Sequence, residues 1–264
     1  MYPQFGAINF LSNFNHSTWE SGNIAIEKHY SSGLTFNTTF NYSKCLTNAD
    51  NLAYYDRAGK ARCSYDQQAA LGVLVTYALP VGKGKRWLNG GGISNAILGG
   101  WTVNMTENTL SGIPLSVGNS GSPYKYLTTA SVNALGTIGQ AQVPNWSMGQ
   151  RFPTAAQTPY FNMSDFTYAA AFTTGSLGAN VLQAPAILWN QCFASKSWKL
   201  ERFKITVRVD GHDLPWKRPN LAAPNTTYNV NSPGTWARFT GTLGDFSNFG
   251  SAEANVQGSL RVEF

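Results

Sequence analysis

The stretch that decides the fold is NVQGSLRVEF, residues 255–264. Apolar or small side chains take every second position and polar side chains take the positions between them, which is the pattern of a strand with two different faces. The apolar positions are Val256, Gly258, Leu260, Val262 and Phe264. The polar positions are Asn255, Gln257, Ser259, Arg261 and Glu263. This segment predicts a sheet with one apolar and one polar side.

The same alternation recurs upstream in six further segments. The clearest is LTFNTTFNYSK, residues 34–44, where aromatic and aliphatic side chains alternate with Asn and Thr. Its length of about 11 residues suits a tilted strand that crosses a bilayer. The predicted strands are 19–30, 34–44, 68–79, 101–112, 187–197, 202–211 and 255–264.

Short and long connections alternate between these strands. The long ones are predicted as loops at about 45–67, 113–186 and 212–252, and they are rich in Ser, Gly, Asn and Pro. Outer-membrane barrels place short turns in the periplasm and long loops outside the cell. We therefore expect one unit over 1–264, an all-β antiparallel up-and-down meander of about seven or eight long strands. It would be part of an outer-membrane-type β-barrel, or a small closed barrel.

Composition narrows the class of protein. Only 12% of the residues are charged and 13% are aromatic, which suits a membrane barrel with aromatic girdles and equally a secreted, sugar-binding β-sandwich. The net charge of +6 is spread along the chain, without the dense basic patch and base-stacking aromatics that nucleic-acid binding needs. No long apolar run predicts a transmembrane helix. No signal peptide opens the chain, so we expect it to be the tail of a longer protein.

Motifs of catalysis and metal binding are missing from the sequence. It contains no GxSxG, no HExxH and no CxxC, so we expect no enzyme activity, no metal and no cofactor. Cys45 and Cys63 flank one predicted loop. They either form a disulfide in an oxidising compartment or serve as ordinary small residues.

Several motifs in order carry a family resemblance. They are IEKHYSSGLTFNTTFNYSKCL from Ile26, YALPVGKGKRWLNGGG from Tyr77, NAILGGWTVN from Asn95, RFKITVRVDG from Arg202, RPNLAAPNTT from Arg218 and the final GSLRVEF. Together they span nearly the whole chain. The chain resembles the carboxy-terminal β-barrel portion of a TonB-dependent receptor of the Oar-like, acidobacterial type. The resemblance implies about the last third of a barrel whose plug and earlier strands lie elsewhere.

The same resemblance implies a place and partners. The place is the bacterial outer membrane, with secretion as the alternative, and the partners are membrane lipid and the barrel-assembly machinery. The assembly signal would consist of Val256, Gly258, Leu260, Val262 and Phe264. Open sheet edges would also allow a homo-oligomer.

Aromatic residues of the predicted long loops are the candidate ligand-binding residues. Such rings can stack on a sugar or another amphipathic ligand, although packing among themselves explains them as well. The candidates are Tyr124, Tyr126, Trp146, Tyr160, Trp216 and Trp236.

Three functional hypotheses follow from the sequence. The first is a receptor or transporter segment that binds a nutrient, a glycan or a peptide, through its long loops. The second is a secreted, soluble β-rich hydrolase or carbohydrate-binding protein. The third is a self-assembling structural protein that polymerises through unpaired sheet edges.

Overall fold

The structure is a computed structural model. It describes residues 15–48, 60–119, 132–134, 159–168, 177–212, 220–239, 243 and 255–264. Its main feature is one antiparallel sheet of seven long strands and one short strand. The long strands are β1 (Ser17–Ser31), β2 (Leu34–Thr47), β3 (Ala69–Ala78), β4 (Trp101–Leu110), β5 (Ile187–Lys199), β6 (Lys204–His212) and β7 (Asn255–Glu263). All seven strands predicted from alternation are confirmed, with shifts of up to three residues at their ends.

Each long strand pairs with its neighbour in sequence, so the order in the sheet is β1 to β7 without a crossover. The predicted up-and-down meander is therefore confirmed. Within the described residues β1 and β7 form the two edges and do not pair with each other. The sheet is open, and the small closed barrel that the sequence also allowed is not formed.

The register divides the side chains of the sheet between two faces. In β2 and β3 the pairs Phe36–Val75 and Phe40–Leu71 lie on one side, which we call the apolar face. In β6 and β7 the pairs Val207–Leu260 and Ile205–Val262 continue the same side. Several of these apolar side chains are exposed rather than covered by protein: Ile24, Ile26, Phe40, Tyr42, Val209, Val256, Leu260 and Val262.

The opposite side, the polar face, carries Asn, Thr, Ser and paired charges. The Asn37 amide donates to the Glu27 carboxylate at 2.9 Å. Lys204 and Glu263 form an ion pair at 3.0 Å across β6 and β7. The Arg208 guanidinium lies 3.7 Å from the centre of the Phe193 ring. Antiparallel sheets commonly have one apolar and one polar face, and in this sheet many side chains of the apolar face are not covered by the residues that the structure describes.

Consecutive connections lie at opposite ends of the sheet, but the predicted alternation of short and long connections fails at the β3–β4 connection, because its span 79–100 is as long as the β2–β3 span 48–68. The β1–β2, β3–β4 and β5–β6 connections lie at what we call the turn end, and the other three lie at the loop end. The β1–β2 hairpin turns through Ser32 and Gly33, which have φ values of 53° and 83°. Two successive positive φ values are typical of the tight hairpin turn that matches strand twist.

The connections contain more regular structure than the sequence predicted. At the turn end, the glycine-rich β3–β4 connection holds one short helix, α1 (Ile93–Leu98). At the loop end, β2 extends to Thr47 and pairs with the short strand Ala61–Arg62, so the predicted loop 45–67 begins later than expected. The predicted loops 113–186 and 212–252 contain short strands and 3₁₀ turns at Pro114–Leu115, Gly118–Asn119, Val132–Ala134, Met163–Asp165, Phe166–Tyr168, Leu182–Gln183, Thr227–Tyr228 and Pro233–Thr235.

The sequence does not predict these short elements, because two or three residues are too few to show periodicity. Within the described residues, no helix has the length and apolar character to span a membrane.

Gly33 provides a test of the hairpin. A Cβ atom at Gly33 would lie 2.8 Å from the Ala78 carbonyl oxygen, whereas one at Gly84 would have nothing within 4 Å. Both glycines have positive φ, so both substitutions carry the same strain of roughly 1 kcal/mol. We expect Gly33→Ala to lower the melting temperature in detergent micelles by about 3 °C or more relative to Gly84→Ala. Equal melting temperatures would contradict the packing of the turn against β3.

Candidate functional site

The loop end gathers the three long connections into one assembly. The Asn180 amide nitrogen donates to the Arg62 carbonyl oxygen at 2.7 Å, which ties the β4–β5 connection to the β2–β3 connection. The Asn220 side chain forms two hydrogen bonds of 2.8 Å with the backbone of Leu188, which tie the β6–β7 connection to the start of β5. These links give the loops a defined arrangement, which we call the loop assembly.

A disulfide braces the β2–β3 connection. Cys45 in β2 and Cys63 are bonded, with their Cα atoms 5.4 Å apart. The buried carboxylate of Asp66 accepts the Cys45 backbone N–H at 3.0 Å and pairs with Arg62 at 3.2 Å. A buried carboxylate needs such partners because desolvation of an unpaired charge is costly. The disulfide and the ion pair therefore hold the same short loop from two sides.

A buried cluster of mostly aromatic residues forms the core of the loop assembly. Its members come from the β4–β5 and β6–β7 connections: Val117, Tyr160, Phe161, Phe166, Leu182, Tyr228, Trp236 and Ala237. Trp236 is 1% exposed, and its indole N–H donates to the Phe161 carbonyl oxygen at 2.9 Å. The Trp236 ring meets Phe166 edge-on at 5.0 Å between centroids. Such edge-on pairs stabilise beyond their area burial.

The Tyr228 hydroxyl completes the polar side of this cluster. It donates to the Phe166 carbonyl oxygen at 2.9 Å. Burial raises the pKa of Tyr228, and the nearby Tyr168 raises it further. A raised pKa keeps the hydroxyl protonated, so the donor stays available up to higher pH than in free tyrosine.

Two of the six predicted ligand-binding aromatics lie in this buried cluster. Tyr160 and Trp236 are packed against Phe161, Phe166 and Phe239, which is the packing role weighed against ligand binding from the sequence. The ligand-binding role of these two residues stays a prediction, and their rings are covered in this arrangement. The other four, Tyr124, Tyr126, Trp146 and Trp216, lie outside the described residues.

Tyr65 is an exposed aromatic residue in the described part of the β2–β3 connection, and it was not among the residues predicted from the sequence. Its side chain is 71% exposed, and it lies two positions after Cys63. The Cys45 sulfur and the Tyr65 hydroxyl are 3.7 Å apart. The sequence did contain a signal for an exposed ring at this position. Tyr65 follows a cysteine that pairs with Cys45, which fixes the backbone, and it lies in a polar loop that offers its ring few packing partners.

Arg238 places two buried guanidinium nitrogens in the loop assembly. Its Nε and Nη1 atoms are buried and have no acceptor among the residues that the structure describes. Buried N–H groups usually have a hydrogen-bond partner in the protein or in ordered water. Within the same described residues, no group of three His, Cys, Asp or Glu side chains could hold a metal ion.

Comparison with known proteins identifies the class to which this sheet belongs. A family model described as outer membrane beta barrel domain matches residues 1–257. The chain belongs to this family. No curated protein and no solved structure matches it significantly.

Membership of this family indicates where the protein is located and what surrounds the two faces of the sheet. The protein is located in the bacterial outer membrane. In barrels of this kind the apolar face contacts lipid, the polar face lines the interior, and the long loops face the outside. Four of the five residues predicted as an assembly signal lie in β7, and Phe264 follows the end of the strand. The register places two of them, Leu260 and Val262, on the apolar face. The extracellular placement of the predicted long loops stays a prediction.

Thiol labelling tests the disulfide. We expect maleimide to modify a single cysteine in the denatured, unreduced chain, because Cys192 is the free cysteine of the structure. After reduction all three cysteines should react. The number of labels is read by intact mass spectrometry. Three labels before reduction would show that Cys45 and Cys63 are free thiols.

Removal of the Trp236 ring tests the aromatic cluster. We expect Trp236→Ala to destabilise the loop assembly by about 3–5 kcal/mol, the usual cost of emptying a buried aromatic site. Limited proteolysis of the folded protein in detergent should then cut within residues 113–254 much faster than in the wild type. Trp87→Ala is the control, because Trp87 is exposed and lies at the turn end. Equal cleavage of both variants would contradict the claim that the aromatic cluster stabilises the loop assembly.

Proposed function

We propose that the chain is the carboxy-terminal barrel segment of an outer-membrane TonB-dependent receptor and transporter of the Oar-like type. Its six ordered sequence motifs, from Ile26 to the end of β7, support this assignment. The open sheet supports it as well, since β1 and β7 have free edges among the described residues. Lipid cannot satisfy such backbone groups, so further strands must cover them.

The proposed ligand is a nutrient, a glycan or a peptide, that binds to the extracellular loop assembly. The observation that carries this proposal is the exposed ring of Tyr65 on a loop that a disulfide and the Arg62–Asp66 pair hold rigid. A ring that is already fixed loses little conformational entropy on binding, and its face can stack on a sugar or on an aromatic side chain.

The proposed partners follow from the same assignment. Membrane lipid contacts the apolar face, and the barrel-assembly machinery recognises the alternating apolar side chains of β7. A second copy of the chain is another partner able to cover the free edges. We propose no nucleic-acid partner and no catalytic activity. The function is binding and transport rather than turnover.

Titration calorimetry tests the ligand-binding proposal. The full chain in detergent micelles is titrated with malto-oligosaccharides, with cello-oligosaccharides and with a tryptic digest of casein. We expect one of these probes to bind, and Tyr65→Ala to weaken that binding by about three- to tenfold through loss of a stacking contact.

Tyr30→Ala is the matched control for this experiment. Tyr30 is 70% exposed, like Tyr65, but it lies at the turn end of β1. The control should bind the probe as the wild type does. Equal losses in both variants, or no binding of any probe, would overturn the proposed site. In cells, collapse of the proton-motive force should stop uptake of the bound probe, and continued uptake would contradict the TonB-dependent assignment.

A further inference from the structure

A buried lysine interrupts the apolar face near the turn end. Lys196 is paired with Trp101 in the register, on the side that contacts lipid. It is only 4% exposed, and its amine donates to the carbonyl oxygens of Ala96 at 2.6 Å and Asn95 at 3.3 Å. A charged side chain on a lipid-facing surface needs acceptors of this kind. The Ala96 carbonyl lies in the last turn of helix α1, where carbonyl groups carry the partial negative charge that favours a cation.

Two tryptophans of the same face hold the helix in place. The indole N–H of Trp198 donates to the Ala96 carbonyl oxygen at 2.8 Å. The indole N–H of Trp101 donates to the Ile97 carbonyl oxygen at 2.9 Å. Three side chains of the apolar face therefore bind carbonyl groups of α1. The helix lies over the outer surface of the sheet at the turn end, which is the periplasmic end of the barrel.

The side of this connection that faces away from the sheet is apolar. Ile93 is 78% exposed, and the other large apolar side chains of the connection are also exposed. They are Trp87, Leu88, Ile97 and Leu98. This surface continues the lipid-facing side of the strands, so the medium that covers the strands reaches it as well. Tryptophan and aliphatic side chains at this depth are typical of segments that lie in a membrane interface.

A basic pocket lies beside the helix. Its volume is about 410 Å³, and its lining residues that the structure describes include Lys83, Lys85, Lys196 and Lys199 but no carboxylate. The Trp198 ring also lines it, with the Lys196 amine 5.0 Å from the ring centre. Lys83, Lys85 and Lys199 are exposed, so their charges are available to a ligand. The pocket suits an anionic group that comes with an apolar body.

The backbone of the connection keeps the pocket in shape. The Lys83 N–H donates to the Asn95 side-chain oxygen at 2.7 Å, and the Gly100 N–H donates to the Val81 carbonyl oxygen at 3.2 Å. Gly82 has a φ of +118°, and a Cβ atom there would lie 2.8 Å from the Gly99 Cα atom. Only glycine permits this close approach of the two ends of the connection.

We propose that the β3–β4 connection is an interfacial anchor that inserts α1 into the periplasmic leaflet, and that its basic pocket binds the phosphate of an anionic phospholipid. The acyl chains of that lipid lie against Ile93 and Ile97. The lysines attract the headgroup in the way that juxtamembrane basic clusters attract anionic lipids. This inference rests on the membrane location of the barrel and stands whether or not the barrel belongs to a TonB-dependent receptor.

Lipid titration by native mass spectrometry tests the anchor. The full chain in maltoside micelles is titrated with dioleoylphosphatidylglycerol and, separately, with dioleoylphosphatidylcholine. We expect tighter binding of the anionic lipid, and we expect Lys83→Gln with Lys85→Gln to weaken that binding about tenfold or more. Lys44→Gln with Lys60→Gln is the matched control, because it removes the same charge from exposed positions at the loop end.

A second pair of variants tests the apolar part of the anchor. Ile93→Ser with Ile97→Ser should weaken retention of the lipid, whereas Val181→Ser with Val230→Ser, exposed residues of the loop assembly, should not. Inorganic phosphate should not compete at concentrations where the lipid binds. The proposal is overturned if both lysine pairs behave alike, if phosphatidylcholine binds as tightly as phosphatidylglycerol, or if inorganic phosphate displaces the lipid.

Discussion

The antiparallel hydrogen-bond ladder is the interaction on which the rest of this structure depends. In lipid, every backbone N–H and C=O of a strand must find a partner within the protein, because water is not available. The meander satisfies this requirement from β2 to β6, since each strand has a neighbour on both sides. The free edges of β1 and β7 still need partner strands. The ladder also fixes the register, and the register separates the lipid-facing side chains from the interior ones.

The connections at the two ends of the sheet are held in place by different kinds of contact. At the loop end a buried aromatic core, the Cys45–Cys63 disulfide and the Arg62–Asp66 pair hold long polar connections in one arrangement. This order leaves the Tyr65 ring exposed, as the proposed binding role requires. At the turn end the carbonyl groups of α1 accept hydrogen bonds from the Lys196 amine, and the exposed apolar side chains of the helix extend the apolar face. The same fold therefore combines a polar loop end with an apolar turn end.

The sequence was sufficient to predict the strands because alternation has a period of two and each strand repeats it over nine residues or more. The loop core was not predictable, since residues such as Phe161 and Tyr228 come from connections with no period and meet only in three dimensions. Helix α1 was not predictable from the sequence either. Six residues within a glycine-rich segment carry little helical signal, and its contact with Lys196 joins positions about one hundred residues apart in the chain.

The assignment of the two faces is the central claim, and neighbouring positions in the middle of β3 test it most directly. Val75 lies on the apolar face, between Phe36 and Met105, and Leu74 lies on the polar face, so hydrophobicity alone would make an arginine equally harmful at both. Chemical unfolding is measured for Val75→Arg and Leu74→Arg after insertion into phosphatidylcholine vesicles. We expect only Val75→Arg to lower the free energy of unfolding, by about 2–4 kcal/mol, the cost of a lipid-facing arginine in a barrel. Equal losses, or a larger loss for Leu74→Arg, would contradict it.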